Sequence, residues 1–338
     1  MAKVLVTGAF GNVGRSTVSA CLAAGDTVTA LEADTKRTKK LAPALVREWG
    51  KSGQAPRIEF GDVRNPELAR RVARDQDAVI HLAAIIPPAA DRDPELARSV
   101  NVGGTANLIA ACRALPSPPR FVFASSVAAY GDRVKDYWIR TADALAPSPG
   151  DEYGETKVEA EALLRSSGLP FVILRLTAIM WRKKLDPDPL LFSMPLGTRL
   201  EICHTEDTGR AFAQAARLSG ILGRTLDIGG GQSCRTDYRS FLDRMFRLIG
   251  LGGISRFPEA AFARSGFHCG WYADSDEAEE LLRFRRKGLE DYYAEVGEET
   301  RAIKPLAALV APLVRARMLA ASPFWRMRAK HGARLSPA

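Results

Sequence analysis

Residues 3–14 read Lys3-Val4-Leu5-Val6-Thr7-Gly8-Ala9-Phe10-Gly11-Asn12-Val13-Gly14, and this stretch decides the fold. Its apolar start has the composition of a buried strand, and glycines follow at positions 8, 11 and 14. A helical pattern over 12–24 comes next, then a Gly25-Asp26 turn and a second apolar strand over 27–32. Strand, glycine turn, helix and strand in that order make a βαβ unit that binds a dinucleotide. Gly8 serves the tight turn, Gly11 the approach of the backbone to a pyrophosphate, and Gly14 the close packing of helix on strand. The helix start, with Phe10, Asn12 and Val13 beside the glycines, offers N–H groups and a positive dipole end to phosphates.

Glu32 ends the second strand, eighteen positions after Gly14, where a carboxylate reaches adenosine ribose hydroxyls. It repels a 2′-phosphate, so the expected cofactor is NAD. Lys36, Arg37, Lys39 and Lys40 follow and keep NADP as the alternative, although a charge run of this kind usually forms the solvated face of a helix.

Outward from this unit, short apolar runs alternate with helical patterns, the signature of a parallel sheet covered on both faces. Strands are expected at 57–60, 78–82, 121–124, 171–174 and 225–228, and helices at 36–49, 94–115, 152–167 and 206–218. The fold class is α/β: a Rossmann-type doubly wound parallel sheet with a smaller, mainly helical C-terminal substrate lobe. Residues 1–176 and 204–233 are assigned to the dinucleotide-binding domain, 177–203 and 234–300 to the lobe, and 301–338 to a basic tail. Ligands of such sheets bind at the carboxyl ends of the strands, where the strand order reverses.

The formal charge of +9 suggests a nucleic-acid partner until it is located. Eight basic residues and no acidic one lie from Arg301 onward, leaving only +1 for residues 1–300, so no nucleic acid is expected. Phe324 and Trp325 among those basic residues raise an anionic membrane surface as one partner of the tail; docking on the protein is the other. Five scattered cysteines without a CxxC pair, and histidines without ligand spacing, lead us to expect reduced thiols, a cytoplasmic setting and no metal. No apolar run reaches a membrane span, and the N-terminus lacks the layout of a signal peptide.

A second constellation is Tyr153-Gly154-Glu155-Thr156-Lys157, in the helix after the fifth strand. Residues four apart share a helix face, and an ammonium beside a phenol is expected to lower its pKa toward a range useful for proton transfer. Ser126, just past the fifth strand, is placed to bond a substrate oxygen. Alone, each motif is common. Together with Gly61-Asp62-Val63, His81-Leu82-Ala83-Ala84, Asn101-Val102-Gly103-Gly104-Thr105 and Ser125-Ser126 through Tyr130-Gly131, the set resembles the extended short-chain dehydrogenase/reductase family, which includes NAD-dependent sugar epimerases and dehydratases. The likeness runs from residue 3 to about 231.

The resemblance implies Tyr153 as general acid/base, Lys157 tuning its pKa and holding the nicotinamide ribose, Ser126 positioning the substrate, and Asn101 organising the site. It further implies Asp62 at the adenine amino group with Val63 beside it, and Leu82, Ala83 and Ala84 along the cofactor. The helices at 94–115 and 152–167 resemble the pair that forms a dimer interface in this family, so a homodimer is expected. Three departures bear on substrate. Val127 and Ala128 stand where 4,6-dehydratases carry an acidic pair. Thr177-Ala178-Ile179-Met180-Trp181 replaces the Asn-Val-Tyr-Gly-Pro-like run of nucleotide-sugar epimerases, and Leu200 replaces an arginine four before His204. Adjacent Arg199 would face the other way on a strand. Trp181, Arg182, Lys183 and Lys184 suggest an anionic small-molecule substrate, while His204 and His81 read as structural. The expected activity is hydride transfer at a secondary alcohol or ketone; the alternatives are a nucleotide-sugar epimerase and a non-catalytic NAD(P)-binding regulatory or assembly protein.

Overall fold

The computed structural model describes residues 1–51, 53–180 and 189–333. The chain runs β1 (Lys3–Thr7), α1 (Asn12–Ala23), β2 (Thr27–Glu32), α2 (Lys36–Gly50), β3 (Arg57–Phe60), α3 (Pro66–Ala73) and β4 (Ala78–His81). Helices α4 (Ala89–Arg92) and α5 (Pro94–Arg98) lead through a π-helical turn at Ser99–Gly104 into α6 (Thr105–Arg113). There follow β5 (Arg120–Ser126), β6 (Trp138–Ile139), α7 (Glu152–Arg165), β7 (Phe171–Leu176), β8 (Ala178–Met180), β9 (Arg199–His204), α8 (Thr205–Ala215) and β10 (Thr225–Ile228). The last elements are β11 (Arg235–Asp237), α9 (Tyr238–Leu248), β12 (Trp271–Tyr272), α10 (Ser275–Leu282), α11 (Leu289–Thr300), α12 (Lys304–Ala321) and α13 (Pro323–Ala333).

Seven parallel strands form the main sheet in the order β10-β7-β5-β4-β1-β2-β3. Both faces are apolar, as a covered parallel sheet requires. Val4, Val6, Ala78, Ile80, Val122 and Leu174 enter the core beneath α1 and α8, while Leu5, Val79, Phe121, Phe123 and Ile173 enter the one beneath α3, α6 and α7. After β3 the chain returns to the other side of β1, which pairs with β4 from Val4↔Ala78 to Thr7↔His81. The reversal opens a crevice at the carboxyl ends of β1 and β4.

Three features depart from expectation. The segment 94–115 is not one α-helix: a π-helical turn at Ser99–Gly104 interrupts it, with Val63 packed where a Cβ on Gly104 would lie. The segment 177–203 is not wholly irregular, because β8 and β9 join β11 in a three-stranded sheet. Helix α3 was not anticipated, although the Asn65 side chain accepts from the Glu67 and Leu68 N–H groups and Pro66 opens the helix. The tail, helical to residue 333, docks as one of its two expectations has it: α12 places Ala311 and Met318 in the lobe core with Phe241, Phe246 and Phe257. No helix among the described residues is long and apolar enough to cross a membrane.

Candidate active site

The glycine turn is held by backbone constraints. Gly8 has φ +65°, a conformation that L side chains rarely adopt, and a Cβ there would lie 2.9 Å from Ala83 N and Cα. A Cβ on Gly14 would stand 2.1 Å from the Gly8 carbonyl oxygen and 2.8 Å from Ala9 Cα. The α1 start therefore closes onto the turn, and the Gly11 N–H bonds Gly8 O at 3.0 Å. Glu32 braces the same turn: its carboxylate accepts from Phe10 N (2.8 Å) and Ala33 N (2.9 Å).

Of the residues assigned to catalysis or to the cofactor, all but Phe10 and Asn101 line one cleft of about 1010 Å³. The Phe10 ring instead packs in the core against Trp49 and Phe60, leaving only its main chain at the turn. Asn101 is buried beside the cleft. Its side chain accepts from Ile85 N (2.7 Å) and donates to Ile85 O and Thr156 Oγ1 (both 3.0 Å), tying the loop after β4 to α7. The π-helical turn is what aims it there.

Asp62 lines the cleft with its carboxylate engaged by Arg64 (Nε at 2.9 and 3.0 Å), and that guanidinium holds its carboxyl below the usual range. Thr177 and Ile179 of the run after the sixth strand also line the cleft, as do Arg64 and Ile86, which the sequence motifs do not mark. The apolar run 82–86 after a buried strand was the available signal for Ile86. Lys36, Arg37, Lys39 and Lys40 are exposed on α2, where Lys39 pairs with Asp34 at 2.7 Å.

Ser126 is the last residue of β5; its hydroxyl accepts from Ala128 N (3.2 Å) and faces the same cleft as Tyr153 of α7, near enough to act on the phenol. Lys157, one turn further along α7 and 3% exposed, donates to the Ala124 carbonyl (2.6 Å) and stands 5.6 Å from the Tyr153 ring centroid. The side chains thus meet as i,i+4 spacing implies, but the electrostatics run opposite to expectation. Burial pushes the Tyr153 phenol up to about 12; the nearby Ser126 hydroxyl opposes this and Asp151 adds to it. Burial likewise depresses Lys157 to about 8, against the Glu161 carboxylate. An ammonium that has already lost its proton near pH 8 has no charge left to help a phenol ionise near 12.

The helix carrying both groups is pinned from below. Arg175 on β7 makes a bidentate pair with Glu161 (2.9 and 2.8 Å) and donates to Tyr130 Oη (2.7 Å), which donates to Asp227 (2.8 Å). His81 Nδ1 lies 2.7 Å from Thr7 Oγ1 and Nε2 lies 3.0 Å from Thr105 Oγ1. Thr7 Oγ1 accepts from Leu82 N and Ala83 N, and Thr105 Oγ1 donates to Asn101 O, so this network assigns the imidazole proton to Nε2. Burial and the Lys157 charge lower the His81 pKa to about 3.

His204 caps α8, accepting from Glu206 N (3.2 Å) and bonding Glu295 (3.1 Å). Glu206 and Glu295 are bridged by the Lys287 ammonium, so the one cluster of metal-ligand types among the described residues already holds a cation. Leu200 is buried, and Arg199 faces the other way, its guanidinium over the Tyr137 and Trp271 rings at 5.6 and 5.5 Å. Neither lines the cleft. The basic segment Trp181, Arg182, Lys183 and Lys184 lies outside the described residues.

A turn closed to any side chain, a carboxylate at the end of β2 and a cleft of dinucleotide size all fit a nicotinamide dinucleotide. The fold and cleft define an extended short-chain dehydrogenase/reductase. The chain belongs to the NAD-dependent epimerase/dehydratase family, whose model matches residues 4–182. Two D-erythronate dehydrogenases, from Cupriavidus necator and Haemophilus influenzae, are 32% and 29% identical over 164 and 155 residues. Those matches cover 48% and 45% of this chain and 49% and 48% of theirs, so the chain spans about half the length of the curated relatives it matches. In fold it is similar to UDP-glucuronic acid 4-epimerase of Bacillus cereus in complex with UDP-glucuronic acid and NAD (TM-score 0.68, 21% identity, 89% of this chain and 99% of that one). It is likewise similar to UDP-glucose-4-epimerase of Stenotrophomonas maltophila with bound NAD (TM-score 0.71, 20% identity, 91% and 100%).

Proposed function

We propose that this chain is an NAD-dependent dehydrogenase that interconverts a secondary alcohol and a ketone on a small polar substrate. The observation that carries this reading is that Ser126, Tyr153 and Lys157 line the same cleft that begins at the glycine turn, with Lys157 fixed on Ala124 O. The nicotinamide, when bound, supplies or accepts the hydride. Ser126 holds the substrate oxygen, and Tyr153 Oη exchanges the proton with it. With its phenol held near 12, Tyr153 is protonated at neutral pH and is poised as the acid of ketone reduction. Lys157 orients the site through its bond to β5. Glu32 disfavours a 2′-phosphate, which supports NAD over NADP.

Two facts favour a small substrate over a nucleotide sugar. Leu200 is buried, and Arg199 lies over the Tyr137 and Trp271 rings, so β9 presents no guanidinium to a diphosphate in the cleft. The named dehydrogenase relatives act on a four-carbon sugar acid, which makes sugar acids the first substrates to try. The test is a panel of small hydroxy acids and UDP-sugars, followed by reduced-nicotinamide absorbance and product analysis. A stoichiometric absorbance change with a hydroxy acid, lost in Tyr153→Phe while NAD still binds, is the expected result. A fully active Tyr153→Phe enzyme overturns the assignment. Epimerised UDP-sugar without net reduction overturns the substrate class, and NAD binding without turnover on any substrate points to a regulatory role.

A further inference from the structure

Helix α12 has two apolar faces. One is docked: Ala311 and Met318 are buried in the lobe core, Arg315 donates to Leu251 O (2.8 Å), and the Ser322 hydroxyl just beyond the helix donates to Ala261 O (2.6 Å). The other faces outward. Leu306, Leu309, Val310 and Leu313 fall at i, i+3, i+4 and i+7 and are 66, 76, 37 and 75% exposed. Because the inner face is anchored, this ridge is held on the surface as a fixed stripe.

The charge around the ridge narrows its occupant. Arg301, Lys304, Arg317, Arg326 and Arg328 are exposed, and the last acidic residue of the chain is Glu299. A second copy meeting the ridge face to face would bring like charge against like. Arg317 lies on the ridge itself, four residues past Leu313, where a long cationic side chain can snorkel from an apolar layer to anionic headgroups. No described helix is long and apolar enough to cross a bilayer, so the contact geometry is that of a helix lying flat.

We propose that the outward face of α12 is a docking surface for an anionic lipid bilayer, with Leu306, Leu309, Val310 and Leu313 entering the interface and the basic residues of the tail holding the headgroups. The pairing of an apolar stripe with a basic surround makes binding depend on lipid charge and weaken with salt.

The full chain is floated with vesicles of phosphatidylcholine alone or mixed with phosphatidylglycerol, at low and high salt. The expected result is flotation with the mixed vesicles, lost at high salt and on phosphatidylcholine alone. The double variant Leu309→Ser, Leu313→Ser is expected to lower the vesicle-bound fraction at least about tenfold, since two exposed leucines lose their burial in lipid. Arg317→Gln with Arg326→Gln is expected to shift the salt dependence and leave melting temperature and NAD binding unchanged. The proposal is overturned if the parent chain floats with neither vesicle, or if the leucine variant floats as well as the parent. It is also overturned if light scattering shows a dimer that the leucine variant dissociates, because the ridge then belongs to a protein interface.

Discussion

Lys157→Met is predicted to stabilise the protein while removing its activity. Lys157 is 3% exposed, and its ammonium has the Ala124 carbonyl as a hydrogen-bond acceptor and the Phe123 ring at 4.8 Å. Burial lowers its pKa from 10.5 to about 8. Between those values the unfolded chain holds a proton that the folded chain has released, so stability rises with pH across that window. Below pH 8 the full cost of the buried charge is present, about 3 kcal/mol at 1.36 kcal/mol per pH unit. Methionine has a similar length and no charge to desolvate. Loss of the bond to Ala124 takes back about 1 kcal/mol, which leaves the variant about 2 kcal/mol more stable at pH 7. That advantage should shrink as pH rises from 8 toward 10.5, because folded Lys157 is by then neutral and the remaining cost is only that of deprotonating it below its unfolded pKa. Urea unfolding of both proteins at pH 7 and 9.5, beside NAD-dependent turnover, checks it; taking the difference cancels every other group that titrates in both. A variant less stable than wild type by the same amount at both pH values would show that the ammonium is not desolvated, and the reasoning fails.

Gly14→Ala places a Cβ 2.1 Å from Gly8 O, a clash with backbone that no side-chain rotation relieves. It is expected to cost about 2 kcal/mol of stability and at least tenfold in NAD affinity, read by melting and calorimetric titration. His81 has a folded pKa of about 3, below its ordinary 6.5, so its contribution is complete above pH 6.5 and is lost as pH falls toward 3. By pH 4 the loss should reach about 3 kcal/mol. His81→Gln should flatten that part of the acid unfolding profile even though it is less stable at pH 7; an unchanged slope would assign the acid sensitivity to other groups.

What was legible in the sequence is what local spacing encodes. The glycine turn, the strands on either side of α1 and the shared face of Tyr153 and Lys157 each depend on residues within a few positions of one another. The small sheet of the lobe does not. Along β9, Leu200, Glu201, Ile202 and Cys203 are all buried, so no alternation marks a strand. Glu201 is tolerated inside because Arg235, Ser275, Gly231 N and Tyr272 N satisfy it from 30 to 74 residues away. Such partners leave no trace in a local window. The π-helical turn is hidden for a related reason: its demand comes from the loop at Ile85, which Asn101 must reach.

The Tyr153–Lys157 pair shows where spacing stops being informative about chemistry. That the two side chains share a face follows from the four-residue interval, but which of them titrates first follows from burial. With Lys157 near 8 and Tyr153 near 12, the ammonium is discharged before the phenol begins to ionise, so adjacency alone does not produce a phenolate. The ligand-free chain is therefore arranged to hold a proton on Tyr153 and, below pH 8, a charge on Lys157. Under the proposed function, a buried cation kept at a cost to folding would be held to stabilise charge developing on a substrate oxygen. Its position under Tyr153 is the reason that replacing Lys157 should separate stability from turnover.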